Sequence, residues 1–293
     1  MNIVFIGAVK FSESFLKKLI NIKSTPVAVC TLEDSDFNAD HIDLTTLCKE
    51  NNIPVKYAPD INSKESMQWI KSFKPDVIFC FGWSFLLKSE LLKVAPLGVV
   101  GYHPAALPKN RGRHPIIWAL VLGLRKTAST FFFMDDGVDT GDILSQKTIA
   151  IELNDNAGTL YQKLTETALG QIEKFVPALI SNDYDRNSQN LDKSNAWRKR
   201  NINDGRIDWR MSAESIHNLV KALYHPYIGA HFDIKDKEIK VWKTKLVLNN
   251  EKNIEPGKII EVKLNGPIIK TGTNAIQLIE IEPKIELRQG SYL

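Results

Sequence analysis

Cysteine is scarce: Cys30, Cys48 and Cys80 are the only three in 293 residues, and no pair stands at a metal-binding spacing. Cys30 and Cys80 fall in apolar, strand-like runs and read as buried reduced thiols. No run approaches the roughly 20 apolar residues that a bilayer span requires. Lys10 interrupts the apolar opening before it can form an export signal. A cytoplasmic protein without membrane attachment is therefore expected. A large excess of either charge is also missing. The net charge of +4 does not call for a nucleic-acid partner. The loop after the first apolar run is GAVKF, which lacks G-x-G-x-x-G, so dinucleotide binding has little support. Internal repeats are absent. Lysine and arginine are missing altogether from Glu33 to Asp43, where Glu33, Asp34, Asp36, Asp40 and Asp43 stand in EDSDFNADHID. This segment reads as a solvated loop whose charge repels phosphates.

What is present is an ordinary globular composition, 43% hydrophobic and 25% charged. The apolar run Asn2–Ile6 precedes helically spaced Phe11, Phe15, Leu16 and Leu19, with Ser12 as a candidate cap. Further strands are expected at Pro26–Thr31, Pro54–Tyr57 and Asp76–Phe81, with helices at Leu44–Asn51 and Ser63–Phe73. The last of these strands is continuously apolar, as a sheet covered on both faces requires. Strands at Ser129–Met134 and Ile143–Ile149 and a long amphipathic helix at Asn156–Ile180 follow. The polar stretch Ser181–Ser194 and the charged run Arg198–Arg200 look like solvated linker. A helix at Met211–Leu223 then leads into five short strands between Ala230 and Pro283. The pattern describes an α/β protein: a doubly wound, Rossmann-like domain over 1–190, a linker over 191–204, and a small β-rich, OB-like barrel domain over 205–293.

Two stretches carry candidate chemistry. Gly98–Gly123, GVVGYHPAALPKNRGRHPIIWALVLG, places His103 at the end of a buried strand. A loop with Lys109, Asn110, Arg111 and Arg113 follows, and Pro115 opens a helix. Met134–Leu144, MDDGVDTGDIL, is an acidic turn between two strands. Either stretch alone fits a bland reading, a loop histidine bonded to backbone or a solvated turn. Together they supply a base and an orienting carboxylate.

HPAALPKNRG followed by VDTGDIL resembles the formyltransferase family that uses 10-formyltetrahydrofolate. IVFIGAVKFSESFLKKL is similar to that family's opening strand and helix, and KPDVIFCFGWSFLL to its strand and loop before the histidine. DGRIDWRMSAESIHNLVKAL and KVWKTKLV resemble the carboxyl-terminal domain of its methionyl-tRNA and sugar-amine members. The resemblance implies a formyltransferase domain with His103 and Asp139 as catalytic residues, the aspartate orienting the imidazole. It implies a folate pocket around Phe81, Gly82, Trp83, Ser84, Phe85, Val138 and Asp142, although Trp83 also fits plain core. Lys10, Phe11, Lys109, Arg111 and Arg113 are expected at the acceptor substrate. The family's asparagine two residues before the histidine, an oxyanion donor, is Gly101 here. Asn110 is the preferred substitute, followed by the Trp83 indole or a freed backbone N–H. The implied activity is N-formylation of an amino sugar, nucleotide-linked, from 10-formyltetrahydrofolate. Methionyl-tRNA formylation is the alternative, with the lysines Lys235, Lys237, Lys240, Lys243 and Lys245 in its favour. A formyltetrahydrofolate hydrolase and a non-catalytic folate binder stand behind it. A homodimer is left open.

Overall fold

A computed structural model describes residues 1–35, 38–235 and 237–293; Asp36 of the acidic segment lies outside the described residues. Strands β1 (Ile3–Ile6), β2 (Ala28–Thr31), β3 (Val55–Tyr57), β4 (Val77–Cys80) and β5 (Val99–His103) alternate with helices α1 (Lys10–Asn21), α2 (Thr45–Glu50), α3 (Lys64–Ser72) and the single turn α4 (Ser89–Leu92). A short β6 (Arg111–Gly112) and α5 (Pro115–Val121) lead to β7 (Lys126–Phe133), β8 (Ile143–Ala150) and α6 (Ala157–Ser181). After β9 (Ala196–Trp197) come α7 (Ala213–Ala222) and strands β10 (Ala230–Ile234), β11 (Lys237–Val247), β12 (Ile259–Lys263), β13 (Gly266–Lys270) and β14 (Ala275–Glu282).

The larger sheet runs β3-β2-β1-β4-β5-β7-β8. Its first five strands are parallel, and β7 is antiparallel to β5. This is the doubly wound arrangement expected of the first domain. Strands β1, β2 and β4 are buried at every residue, because helices on both faces leave no solvated side. The α1 face built from Phe11, Phe15, Leu16 and Leu19 is buried as the spacing predicts. Ser12, however, is not its cap. Val9 holds that position, and the Ser12 hydroxyl accepts from Val9 N at 3.2 Å while donating to the Phe81 carbonyl at 2.6 Å. The three cysteines are buried and unpaired, and burial pushes each thiol up to about 12.

The second sheet is antiparallel, in the order β10-β11-β14-β13-β12. Its five strands fall where alternating short runs place them. A register shift in β11 at Val241–Thr244 bends the longest strand.

The chain forms two units that interleave in sequence. One comprises 1–115, 127–149 and 162–197; the other comprises 116–126, 150–161 and 198–293. The pattern of strands and helices suggests a single linear linker at 191–204 instead, since it carries no information on which unit a helix such as α5 packs with. Within the second unit the run Arg198–Arg200 is solvated only in part: Arg198 and Lys199 are exposed and Arg200 is buried. Arg198 donates to the Asp204 carboxylate at 2.8 Å, and Arg200 is buried, 4.7 Å from the Trp118 ring. Among the described residues no helix is long and apolar enough to cross a membrane.

Candidate active site

The carboxyl ends of β4 and β5 adjoin, with Cys80 paired to Gly101, so Trp83 and His103 leave the sheet at the same edge. His103 is 5% exposed. The chain beyond it is stitched to β7 and β8: Thr127 and Thr130 donate to the carbonyls of Pro104 and Ala105 at 3.1 and 2.7 Å, and Gln146 donates to that of Leu107 at 2.9 Å. The loop then turns back so that the Asn110 main-chain carbonyl lies 2.7 Å from His103 Nε2. A carbonyl only accepts, so the hydrogen resides on Nε2. On the other side of the ring, Nδ1 lies 3.5 Å from Asp139 Oδ2. The same carboxylate oxygen accepts the Gly112 N–H at 2.9 Å. Gly112 has φ +95, and a Cβ there would stand 2.4 Å from the Trp197 carbonyl oxygen. Only glycine brings this N–H to the carboxylate.

Asn110 (φ +64), His114 (φ +57) and Asp139 (φ +54) all adopt left-handed backbone. Side chains rarely take up that conformation, and it concentrates where surrounding contacts over-determine a site. His103 and Asp139 are thus brought together.

Other expected site residues divide. Phe81 is fully buried, its ring packed on Phe5, Phe15, Phe79 and Phe131. Its side chain belongs to the core. Phe11 is likewise buried against Phe15 and Tyr102, which removes it from an acceptor surface. The Ser84 hydroxyl donates to Asn38 at 2.8 Å, and its carbonyl accepts from Arg113 Nη1 at 3.2 Å. Asp142 is tied to Ser188 at 2.9 Å and lies 3.6 Å from Arg186, so its carboxylate anchors chain. Arg111 is turned inward: it is 8% exposed, and Nη2 donates to Gln189 at 2.7 Å. An arginine placed this way braces the loop. Lys10 and Lys109 are exposed. Asn110 contacts the histidine through its main-chain carbonyl, while its side-chain amide, the expected oxyanion donor, belongs to a half-buried residue of the same loop.

Three apolar side chains on the loops flanking this edge stay in water: Phe85 at 48%, Leu86 at 75% and Val138 at 55% exposure. A hydrogen bond from Ser89 to Asp136 links the two loops. Exposed apolar surface beside a histidine–carboxylate pair makes this edge the candidate binding cleft. Gly82 carries the chain into it at φ +70, with Val9 and Ser12 too close to admit a side chain. Among the described residues the indole nitrogen of Trp83 is buried without a hydrogen-bond partner. A cavity of about 380 Å³ lies nearby, lined by Leu32, Glu33, Asp34, Ser35, Tyr57, Pro59 and Phe85. Asp43 is not among the lining residues. It accepts from Thr45 N, Thr45 Oγ1 and Tyr57 Oη, each at 2.8 Å, and so secures the start of α2.

The space beside Gly101 is filled. A Cβ there would meet Met134 Cγ at 2.9 Å, Met134 Sδ at 3.1 Å and Phe132 Cε1 at 3.2 Å. Gln189 and Asn195, both in the expected linker region, were not legible as site residues. They lie in a polar stretch with no periodicity, and only their partners identify them.

Residues 1–173 match the Formyl transferase family, and residues 201–290 match the Formyl transferase, C-terminal domain. The methionyl-tRNA formyltransferase of Clostridioides difficile (strain 630) is 32% identical over 299 residues, covering 100% of this chain and 96% of that protein. The bifunctional polymyxin resistance protein ArnA of Wigglesworthia glossinidia brevipalpis is 34% identical over 233 residues, which cover 80% of this chain and 35% of ArnA. The chain thus spans about a third of that relative's length. A crystal structure of the N-formyltransferase from Helicobacter canadensis, in complex with folinic acid and dTDP-3-aminofucose, overlays with a TM-score of 0.70 at 19% identity, covering 95% of this chain and 99% of that one. That likeness establishes the fold. With a family match over both segments and a relative 32% identical along the whole chain, the chain belongs to the formyl transferase family.

Proposed function

We propose that the protein transfers a formyl group from 10-formyltetrahydrofolate to the amine of a nucleotide-linked amino sugar, with His103 and Asp139 at the reacting centre. The amine nitrogen bonds to the formyl carbon, the bond to the folate nitrogen breaks, and the amine's proton ends on the departing nitrogen. The tetrahedral intermediate needs donors for its oxyanion. His103 offers Nε2–H once substrate replaces the Asn110 carbonyl, and Asp139 holds the ring and balances its charge. The unpartnered Trp83 indole N–H is the second donor, in the role the asparagine has elsewhere in the family. Phe85, Leu86 and Val138 provide apolar surface for the folate.

The observation that carries the sugar reading is the acidic, aromatic-lined cavity at Glu33, Asp34, Tyr57 and Phe85. Rings there can stack on a small acceptor and carboxylates oppose the long phosphate backbone of a tRNA; the short diphosphate of a sugar nucleotide then lies away from Glu33 and Asp34, on the side of the exposed Lys10 and Lys109. Of the lysines on β11, Lys240 is ion-paired with Glu238 at 2.8 Å, and Lys243 stands opposite Glu280 in the sheet register. The similarity to the Helicobacter canadensis enzyme, solved with dTDP-3-aminofucose, supports this reading. Methionyl-tRNA is the second reading, favoured by the Clostridioides difficile relative of nearly equal length.

The test measures turnover of 10-formyltetrahydrofolate with dTDP-3-aminofucose and with methionyl-tRNA at physiological salt. Formylation of the sugar nucleotide is expected, with His103→Ala and Asp139→Asn each losing most of it and Asp142→Asn much less. Efficient formylation of methionyl-tRNA with none of the sugar would replace the first reading by the second.

A further inference from the structure

The segment 187–197 is bound along its length to the two loops that carry His103 and Asp139. Asn187 exchanges main-chain hydrogen bonds with Ile143 at 2.8 and 3.0 Å. Asn195 accepts from Asn110 N through its side chain and from Arg111 N through its carbonyl, both at 3.0 Å. The Trp197 carbonyl accepts from Arg113 N at 3.1 Å. Between these anchors Gln189 is half-buried in an otherwise exposed run. Its Nε2 donates to the carbonyls of Asp139 at 2.9 Å and Gly141 at 2.7 Å, while Oε1 accepts the Arg111 guanidinium at 2.7 Å.

We propose that Gln189 is a positioning residue for formyl transfer, acting through Asp139. The proposal rests on the assignment of His103 and Asp139 as the reacting pair. A planar amide is the one neutral side-chain group with two donors and an acceptor on one rigid fork. Here the donors clamp both ends of the Asp139–Gly141 turn, holding Asp139 in its left-handed conformation so that its carboxylate faces Nδ1. The acceptor holds Arg111, adjacent to the Asn110 carbonyl that caps Nε2. One side chain therefore sets the imidazole from both sides. Arg111 has no ion-pair partner among the described residues, and its Nε is buried without a hydrogen bond. The contact with Gln189 is thus the one side-chain bond its guanidinium makes among them.

The role separates from simple packing in two variants. Gln189→Ala removes every contact. Gln189→Glu keeps the size and the Arg111 contact, with added charge attraction, but has no hydrogen to offer either carbonyl. Both are assayed with 10-formyltetrahydrofolate and whichever acceptor, dTDP-3-aminofucose or methionyl-tRNA, the wild type turns over. Turnover is expressed per chain that binds folinic acid, so unfolded material does not count. Both variants should lose at least tenfold in kcat with KM for the folate changed less than threefold, and Gln189→Glu should melt close to the wild type. A kcat within twofold of wild type in either variant overturns the proposal. So does a loss that appears only as a raised KM. Asp139→Asn run alongside separates the two levels: if it retains wild-type kcat, the reading of the reacting pair fails, whatever Gln189 does.

Discussion

The space beside Gly101 decides what restoring an asparagine there can achieve. The Met134 thioether and the Phe132 ring edge stand 2.9–3.2 Å from where a Cβ would lie, against an ordinary contact nearer 3.5–4.0 Å. Phe132 is also the register partner of Gly101 on β7, so the backbone has no freedom to draw back. Gly101→Asn must therefore displace Met134. Overpacking of this kind costs roughly 1–3 kcal/mol, a fall of about 2–12 °C at roughly 2–4 °C per kcal/mol for chains of comparable size. Met134→Ala alone leaves a void, at less than the roughly 2–5 kcal/mol of a fully buried methionine, because Met134 is only half-buried. Each change offsets the other's defect, so the double variant should be more stable than the sum of the singles predicts, by on the order of 1 kcal/mol or more. Thermal melts by circular dichroism at 222 nm on the four proteins read this coupling, and turnover on the same samples reads whether the amide adds a donor. The expectation is no gain in kcat for Gly101→Asn alone. If Gly101→Asn melts with the wild type, or the two changes add without coupling, Met134 does not occupy the asparagine's space and the reasoning fails.

Two further outcomes follow from buried polar atoms. Trp83→Phe removes the unpartnered indole N–H while keeping an aromatic ring. It should lower kcat by about 10²–10³ if that donor serves the oxyanion, with little loss of melting temperature, because no hydrogen bond among the described residues is broken; steady-state kinetics at unchanged kcat would exclude the indole. In the second unit, burial, reinforced by the charge of Lys221, pushes His217 down to about 4, and its Nδ1 lies 2.8 Å from Thr244 Oγ1. The folded-state value is below the ordinary 6.5, so the unfolded chain binds the proton first. Stability should be insensitive to this group above about pH 6.5 and fall by roughly 1–3 kcal/mol between there and about pH 4, allowing for partial exposure. Urea titrations of wild type and His217→Gln across that range should converge as pH falls; a gap that stays constant would show that His217 does not titrate in folding.

By itself the sequence determined the order and kind of most elements. Buried parallel strands need unbroken apolar runs and half-exposed strands need alternation, and both signals are local. It also singled out His103, at the end of a buried strand, and the acidic turn; the resemblance to formyltransferases then picked Asp139 from the aspartates of that turn. Helix caps were less legible, as Ser12 illustrates: its hydroxyl accepts from Val9 N, the actual cap residue, from the third helical position and at the same time donates across to Phe81, a partner only the neighbouring strand supplies. The direction of each loop side chain was left to the tertiary structure. Arg111, Arg113 and Lys109 look alike in sequence, yet one is buried against Gln189, one bridges to Ser84, and one is exposed. Asn110 shows its main chain to His103 because φ +64 turns the peptide round. The polar stretch around Gln189 carried no signal at all. Its side chain has meaning only where two carbonyls and a guanidinium, supplied from positions 48, 50 and 78 residues away, converge on one amide. Hydrogen-bond partners so distant along the chain leave no period in the sequence, and only the folded chain brings them together.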